Sequence, residues 1–149
     1  MKHLLFFTLF GFILSHAARA QDDATITRIE LSKITRGYQE QVLATPDSIH
    51  VFLDNSMSGQ PPYKRARKLE PEEWTSLVNA VKPVPLKEIP ALPSPTMKRA
   101  HDAAKHSTLT VTTRDGKSYP HGFDDDDANQ VLQPLMKALR ALSGPLGKP

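Results

Sequence analysis

The chain has 149 residues, with 19 Lys and Arg against 16 Asp and Glu, a formal net charge of +3 and no cysteine. Without cysteine, disulfides, thiolate catalysis, cysteine metal sites and lipid attachment at a bacterial lipobox are excluded. N-glycosylation is excluded too: Asn55, Asn79 and Asn129 are followed two residues on by Met57, Val81 and Val131 rather than Ser or Thr.

In chain order, Met1-Lys2-His3 is a short basic start. Leu4 to Leu14 is an apolar run broken by Thr8 and Gly11, and Ser15 to Ala20 ends in Ala18-Arg19-Ala20. That order predicts a secretory signal peptide over 1–20, cleaved at an A-x-A site before Gln21. The apolar run is shorter than the ~20 residues a permanent membrane helix needs. The expected mature chain, Gln21 to Pro149, holds one domain over 25–143. That is enough to bury roughly two-thirds of the unfolded chain's surface. Cleavage removes Lys2 and Arg19 and no acid, which leaves 17 basic residues against 16 acidic. Such a near-neutral balance lacks the basic stripe of a nucleic-acid partner. No second apolar run is long enough for a membrane span. The joint absence of disulfides and glycans points to a bacterial envelope, most simply the periplasm.

Thr25 to Ile34 is rich in β-branched residues, with Thr27, Ile29 and Leu31 on one parity, and predicts a strand. Arg36-Gly37 is a turn, and Gln39 to Ala44 a second strand. Thr45-Pro46-Asp47-Ser48 has turn chemistry. Over 49–54, Ile49, Val51 and Leu53 alternate with His50 and Phe52, a third strand. Asp54 to Pro62 is a loop by composition, and Tyr63 to Lys68 a short basic edge strand. A helix follows: Pro71 suits its first turn, Glu72 and Glu73 favour its dipole, and Leu69 and Trp74 have staple spacing around Glu70. Trp74, Leu77, Val78 and Val81 share one helical face, which places Trp74 in the core. Lys82-Pro83 ends it.

Five prolines from Pro83 to Pro95 exclude helix and central strand there. Val84, Leu86, Ile89 and Leu92 predict an ordered crossover. Met97 to His106 predicts a helical turn, and Ser107 to Arg114 a strand. Asp115-Gly116 is a type I′ hairpin signal leading to a return strand over Lys117 to Phe123. Asp124 to Asp127 leads into a last helix with Val131, Leu132, Leu135, Met136, Leu139 and Leu142 as its apolar stripe. Pro134 kinks that helix or marks its start, and Gly144-Pro145 stops it. The two halves show no sequence repeat. The expected fold class is α+β: a single antiparallel sheet with two helices packed on one face, preceded by the cleaved signal peptide.

Ser94-Pro95-Thr96-Met97-Lys98-Arg99-Ala100-His101-Asp102-Ala103-Ala104-Lys105-His106-Ser107, Asp115-Gly116-Lys117-Ser118-Tyr119 and Leu132-Gln133-Pro134-Leu135-Met136-Lys137 resemble a set of small exported bacterial proteins. The resemblance runs from about Thr25 to Leu142. That family has no assigned activity, so the resemblance implies export and no catalytic role.

Candidate chemistry is sparse. Asp124 to Asp127, with Asp124 and Asp126 as first candidates, could hold a hard cation such as Ca²⁺. The EF-hand template fails, since its sixth position is Asn129 and its twelfth Leu135. The structural reading is a helix N-terminus, capped and favoured by the dipole. His101, His106 and His121 could gather on zinc or copper. The spacing of five between His101 and His106 does not place both on one helix face, and the structural reading is histidines that hydrogen-bond or face solvent. Lys64, Arg65, Arg67 and Lys68, with Lys98, Arg99 and Lys105, could receive an anionic partner such as lipid head groups or an acidic protein surface. The alternative is a solvated edge strand protected by charge. No G-x-S-x-G, H-E-x-x-H, G-x-G-x-x-G or P-loop occurs. Asp102, His106 and Ser107 can be written as a hydrolase set, but triads are assembled from separate elements. The resulting expectation is a small exported, periplasmic, non-catalytic protein that binds a protein or cell-envelope component, with no cofactor. The alternative is a metal-binding or metal-responsive module using the histidines or the aspartate run.

Overall fold

The computed structural model of the chain describes residues 26–101 and 104–144, without the side chains of Arg99 and His101. The expected signal peptide and its cleavage site therefore lie outside the described residues, as does Asp102. Six strands form one sheet: β1 (Ile26–Thr35), β2 (Tyr38–Ala44), β3 (Ser48–Asn55), β4 (Tyr63–Lys68), β5 (His106–Thr113) and β6 (Ser118–Asp124). Their spatial order is β4-β3-β2-β1-β5-β6, and every neighbouring pair is antiparallel. Two helices complete an α+β fold: α1 (Pro71–Val81) and α2 (Gln133–Ser143). No helix among the described residues is long and apolar enough to cross a membrane.

The period-2 pattern fixes which side of each strand is buried. Ile29, Leu31, Val42, Ala44, Ile49, Val51, Leu109, Val111 and Phe123 are buried. They share one core cluster with Leu77, Val78 and Val81 of α1 and Leu135, Met136 and Leu139 of α2. α1 and α2 also touch one another. Residues of the other parity, among them Glu30, Gln41, Leu43, Phe52, Thr108 and Thr110, remain exposed or half-buried. One position departs from simple alternation. The pairing of β1 with β5 slips between Ile26 and Arg28, so Ile26 is buried and Thr27 is not. A bulge of this kind turns a strand's side chains to the other face.

Local chemistry sets the ends of the elements. Glu70 is the N-cap of α1, and its side chain accepts from the Glu73 backbone while the Glu73 carboxylate accepts from Glu70 N–H at 3.0 Å. That is a capping box with Glu in the place of Ser or Thr. Trp74 is half-buried against the core. The proline-rich crossover is ordered: it makes a 3-10 segment over Leu86–Ala91, with Val84 and Ile89 buried and Leu86 and Leu92 packed beside them. This segment lies against β6. Lys98–His101 is a short 3-10 turn rather than a longer helical piece.

Two expectations are corrected. The Asp115-Gly116 hairpin is not type I′. Gly116 has φ of +80° but Asp115 is not in the left-handed region, and Gly116 N–H donates to Thr113 O at 2.9 Å. This is a three-residue loop, a tight turn closed by one left-handed glycine, because Thr113 Oγ1 holds the Asp115 carboxylate at 2.5 Å. The aspartate run is not a helix N-terminus. Asp124 closes β6, and α2 does not begin until Gln133, with Pro134 in its first turn. Asn129 instead caps the preceding 3-10 turn, accepting from Val131 N–H at 3.2 Å. Pro134 thus marks a start, not a kink, because its missing N–H costs nothing there.

Candidate functional site

The four aspartates have four separate structural duties. Asp124 is fully buried, and its Oδ2 accepts from Thr96 Oγ1 at 2.5 Å and from Lys98 N–H at 2.7 Å. Asp125 adopts φ of 50°, and its Oδ1 accepts from Lys105 N–H at 3.0 Å. Asp126 accepts from Lys33 Nζ and from Arg140 Nη2, the latter at 2.9 Å. Asp127 pairs with Lys98 Nζ at 3.0 Å. Each carboxylate already faces a donor, so they diverge onto the crossover, β5, β1 and α2 rather than converging on one point. The run works as a staple between segments distant in sequence.

Asp126 belongs to a charge cluster where the sheet meets α2. Lys33 and Glu40 stand opposite one another across β1 and β2, and each is 2 % exposed. Arg140 reaches down from α2 to Glu40 Oε1, and Tyr38 donates its hydroxyl to Glu40 Oε2 at 2.6 Å. Two cations and two anions leave the cluster neutral, the condition under which buried charge is tolerated. Burial alone would push the Asp126 carboxyl up. The Lys33 ammonium and the Arg140 guanidinium outweigh it and hold Asp126 below its ordinary value. Burial, and then the bond to Glu40, push the Tyr38 phenol up. Lys105 Nζ stands 4.1 Å from the centre of the Tyr38 ring, a cation–π contact.

The histidines are not brought together. His121 is buried on the core side, stacked on Phe123 with ring centres 5.5 Å apart, and its Nε2 accepts from Asn129 N–H at 3.3 Å. His106 is exposed and stands across the β5–β6 ladder from Asp124, on the opposite face of the sheet from His121. The His101 side chain lies outside the described residues. Among the described residues, no group of three or more His, Asp or Glu side chains gathers at metal-binding distance. His106 and Ser107 also point to opposite faces of β5, and Ser107 Oγ donates to Asp125 O at 2.5 Å. That hydroxyl faces a backbone carbonyl, not an imidazole.

The basic strand β4 is split by its own alternation. Arg65 and Arg67 lie opposite core residues Val51 and Ile49, whereas Lys64 and Lys68 lie opposite Phe52 and Ser48 on the other parity. Arg67 grips Glu73 with two bonds of 2.8 and 2.9 Å and reaches Leu142 O at 3.5 Å. Its guanidinium beside Glu73, with the Glu70 N–H, holds the Glu73 carboxyl down to about 2. Arg67 therefore ties β4 to both helices. Arg65 stands next to Gly144, so both arginines sit by the C-terminal, negative end of α2. Lys64, Arg65 and Lys68 have no acidic partner among the described residues. Lys98 and Lys105 are engaged elsewhere and do not join this edge.

What composition could not reveal is the surface beside β4. On the face of β2, β3 and β4 away from the core cluster, a shallow depression of about 700 Å³ is lined by Gln41, Leu43, His50, Phe52, Lys64 and Ala66, among others. Apolar and polar side chains alternate across it: Leu43, His50 and Ala66 lie in one cross-strand row and Gln41, Phe52 and Lys64 in the next, with Lys64 Nζ 5.6 Å from the centre of the Phe52 ring. Ile34 on the same face is 52 % exposed. The only sequence signal for this depression is Leu43 and Phe52 on the polar parity of otherwise alternating strands.

No family model matches this chain, and no curated protein sequence matches it.

Proposed function

We propose that the chain is an exported, periplasmic, non-catalytic protein that binds a protein or cell-envelope component through the uncovered face of its sheet, with the two helices covering the other face. The observation that carries this reading is the depression in which Leu43, Phe52 and Ala66 alternate with Gln41, His50 and Lys64. Apolar surface interspersed with polar groups is what protein interaction sites commonly present. Export is supported by the basic start, apolar run and Ala18-Arg19-Ala20 ending of the first twenty residues. The alternative reading, a metal-binding module, has less support: among the described residues His106 and His121 lie on opposite faces of the sheet, and each carboxylate of Asp124 to Asp127 faces a donor.

The test is site-specific photo-crosslinking in a bacterial host expressing the full chain. A crosslinking residue replaces Gln41 on the uncovered face or Asn79, which is exposed on α1. Discrete adducts in the envelope fraction from Gln41 and not from Asn79, on a chain whose intact mass matches 21–149, are the expected result. Equal adducts from both positions would remove the face assignment. A chain that retains residues 1–20 would remove the cleaved signal.

A further inference from the structure

The sheet has two edges, β6 and β4. The 3-10 segment Leu86–Ala91 packs against β6. The edge at β4 pairs only with β3, and no backbone hydrogen bond reaches its outer side among the described residues. Alternate residues of such a strand turn their N–H and C=O groups outward, a ready template for another strand. Pro61-Pro62 precede β4 and Pro71 follows it, so six residues, Tyr63–Lys68, are available. They span about 20 Å.

Charge decides which strand fits. Lys64, Arg65 and Lys68 carry no acidic partner among the described residues, although Glu70 and Glu72 are close in sequence; Glu70 is spent on capping α1. A second copy paired through the same edge would bring Lys64, Arg65, Arg67 and Lys68 against themselves in any register, and like charges across a ladder repel. An acidic strand meets the opposite situation. On the uncovered face, β4 presents Lys64, Ala66 and Lys68 at successive i, i+2 positions. Ala66 is the smallest side chain of that row; beside it on β3 lies His50, with Leu43 beyond on β2 and Phe52 diagonal to it, opposite Lys64.

We propose that the outer edge of β4 takes an extended acidic segment of a partner protein as a seventh strand. A large apolar side chain of that segment lies opposite Ala66, with an acidic residue two positions away on either side. The pattern Glu-x-Phe-x-Glu reads the same in both chain directions, so it serves a parallel or an antiparallel addition. This is recognition by strand addition: main-chain bonds supply affinity, and alternate side chains supply selectivity. The proposal rests on the reading of this domain as a binding module and names its partner's chemistry.

The probe is an acetylated, amidated peptide, Thr-Glu-Thr-Phe-Thr-Glu-Thr, titrated into the secreted protein with calorimetry and amide hydrogen exchange as readouts. Saturable binding and slowed exchange at alternate amides of Tyr63–Lys68 are expected. Affinity is expected to fall on the order of tenfold for the double variant Lys64→Glu, Lys68→Glu, and likewise for a peptide with Lys in place of Glu. Both lysines are exposed and have no acidic partner among the described residues, and an unchanged melting curve checks that the variant folds. Two peptides are N-methylated, each on one of the two sets of alternate residues; the one that loses the donors facing β4 should not bind, and the other should. Undiminished binding of both methylated peptides, or protection confined to Gln41, Leu43 and Phe52, would overturn strand addition while sustaining the face as a binding surface. No binding at millimolar peptide would also overturn it, and crosslinking from Gln41 then judges the face by itself. A concentration-dependent dimer with β4 protected in the absence of peptide would assign the edge to a second copy and overturn the acidic partner.

Discussion

Glu40→Gln is the sharpest probe of how the last helix is held. The substitution keeps shape and removes one charge from a side chain 2 % exposed. The wild-type carboxylate takes Arg140 on one oxygen and the Tyr38 hydroxyl on the other at 2.6 Å. Without it, Lys33 and Arg140 share the single charge of Asp126, whose side chain is 64 % exposed. Removing one partner of a fully buried pair costs about 3–5 kcal/mol. Arg140 is 29 % exposed and keeps Asp126, so solvent screening reduces that figure. We expect a loss of about 2–3 kcal/mol, which is roughly 10 °C in Tm for a domain of this size. The control is Lys98→Met, which breaks an ion pair with both side chains about half exposed and should cost at most about 1 kcal/mol. Urea unfolding followed by the single tryptophan, Trp74, and by far-ultraviolet circular dichroism reports both. A Glu40→Gln loss below about 0.5 kcal/mol, the range of ordinary surface positions, would refute the buried cluster.

Leu135→Ala and Leu139→Ala, both fully buried on α2, should each cost about 2–5 kcal/mol in the same urea experiment; changes typical of surface sites would mean α2 is not docked. Acid should weaken the fold in a defined window. Glu73 and Asp115 are each held down to about 2, and Asp126 is lowered, so their stabilisation is present above about pH 4 and is lost as pH falls towards 2. Glu73→Gln should flatten that stretch of the stability–pH curve, and an unchanged slope would count against the Arg67–Glu73 clasp. Gly37→Val should lower Tm, because Gly37 has φ of +70° and a Cβ there would stand 2.9 Å from Met57 Cγ; a neutral result would show that the turn can rearrange. Ca²⁺ should leave Tm unmoved, since each aspartate of the 124–127 run already faces a donor; a saturable rise lost in Asp125→Asn, Asp126→Asn would contradict that assignment.

The sequence by itself determined the α+β class, the strand and helix positions and most of the core. Those features are local: alternation at period two puts Leu109 and Val111 on one side of a strand, and helical spacing puts Leu135 and Leu139 on one stripe. Proline and glycine punctuation marks the ends because its steric effect acts within a few residues, as at Pro71 and Gly116. The interactions that decide the role of each polar residue act over long separations. Lys33 meets Asp126 across 93 positions, and Arg140 meets Glu40 across 100. No window of sequence holds both partners, so the aspartate run read as a helix start when it is a staple. The bulge near Thr27 is equally illegible, because it arises from how β5 pairs with β1, not from residue types in β1 alone. Tertiary structure likewise separated the four cations of β4. Pleating sends Arg65 and Arg67 towards Glu73 and the end of α2 and Lys64 and Lys68 to the opposite face, and only the strand order shows that this edge has no neighbouring strand among the described residues.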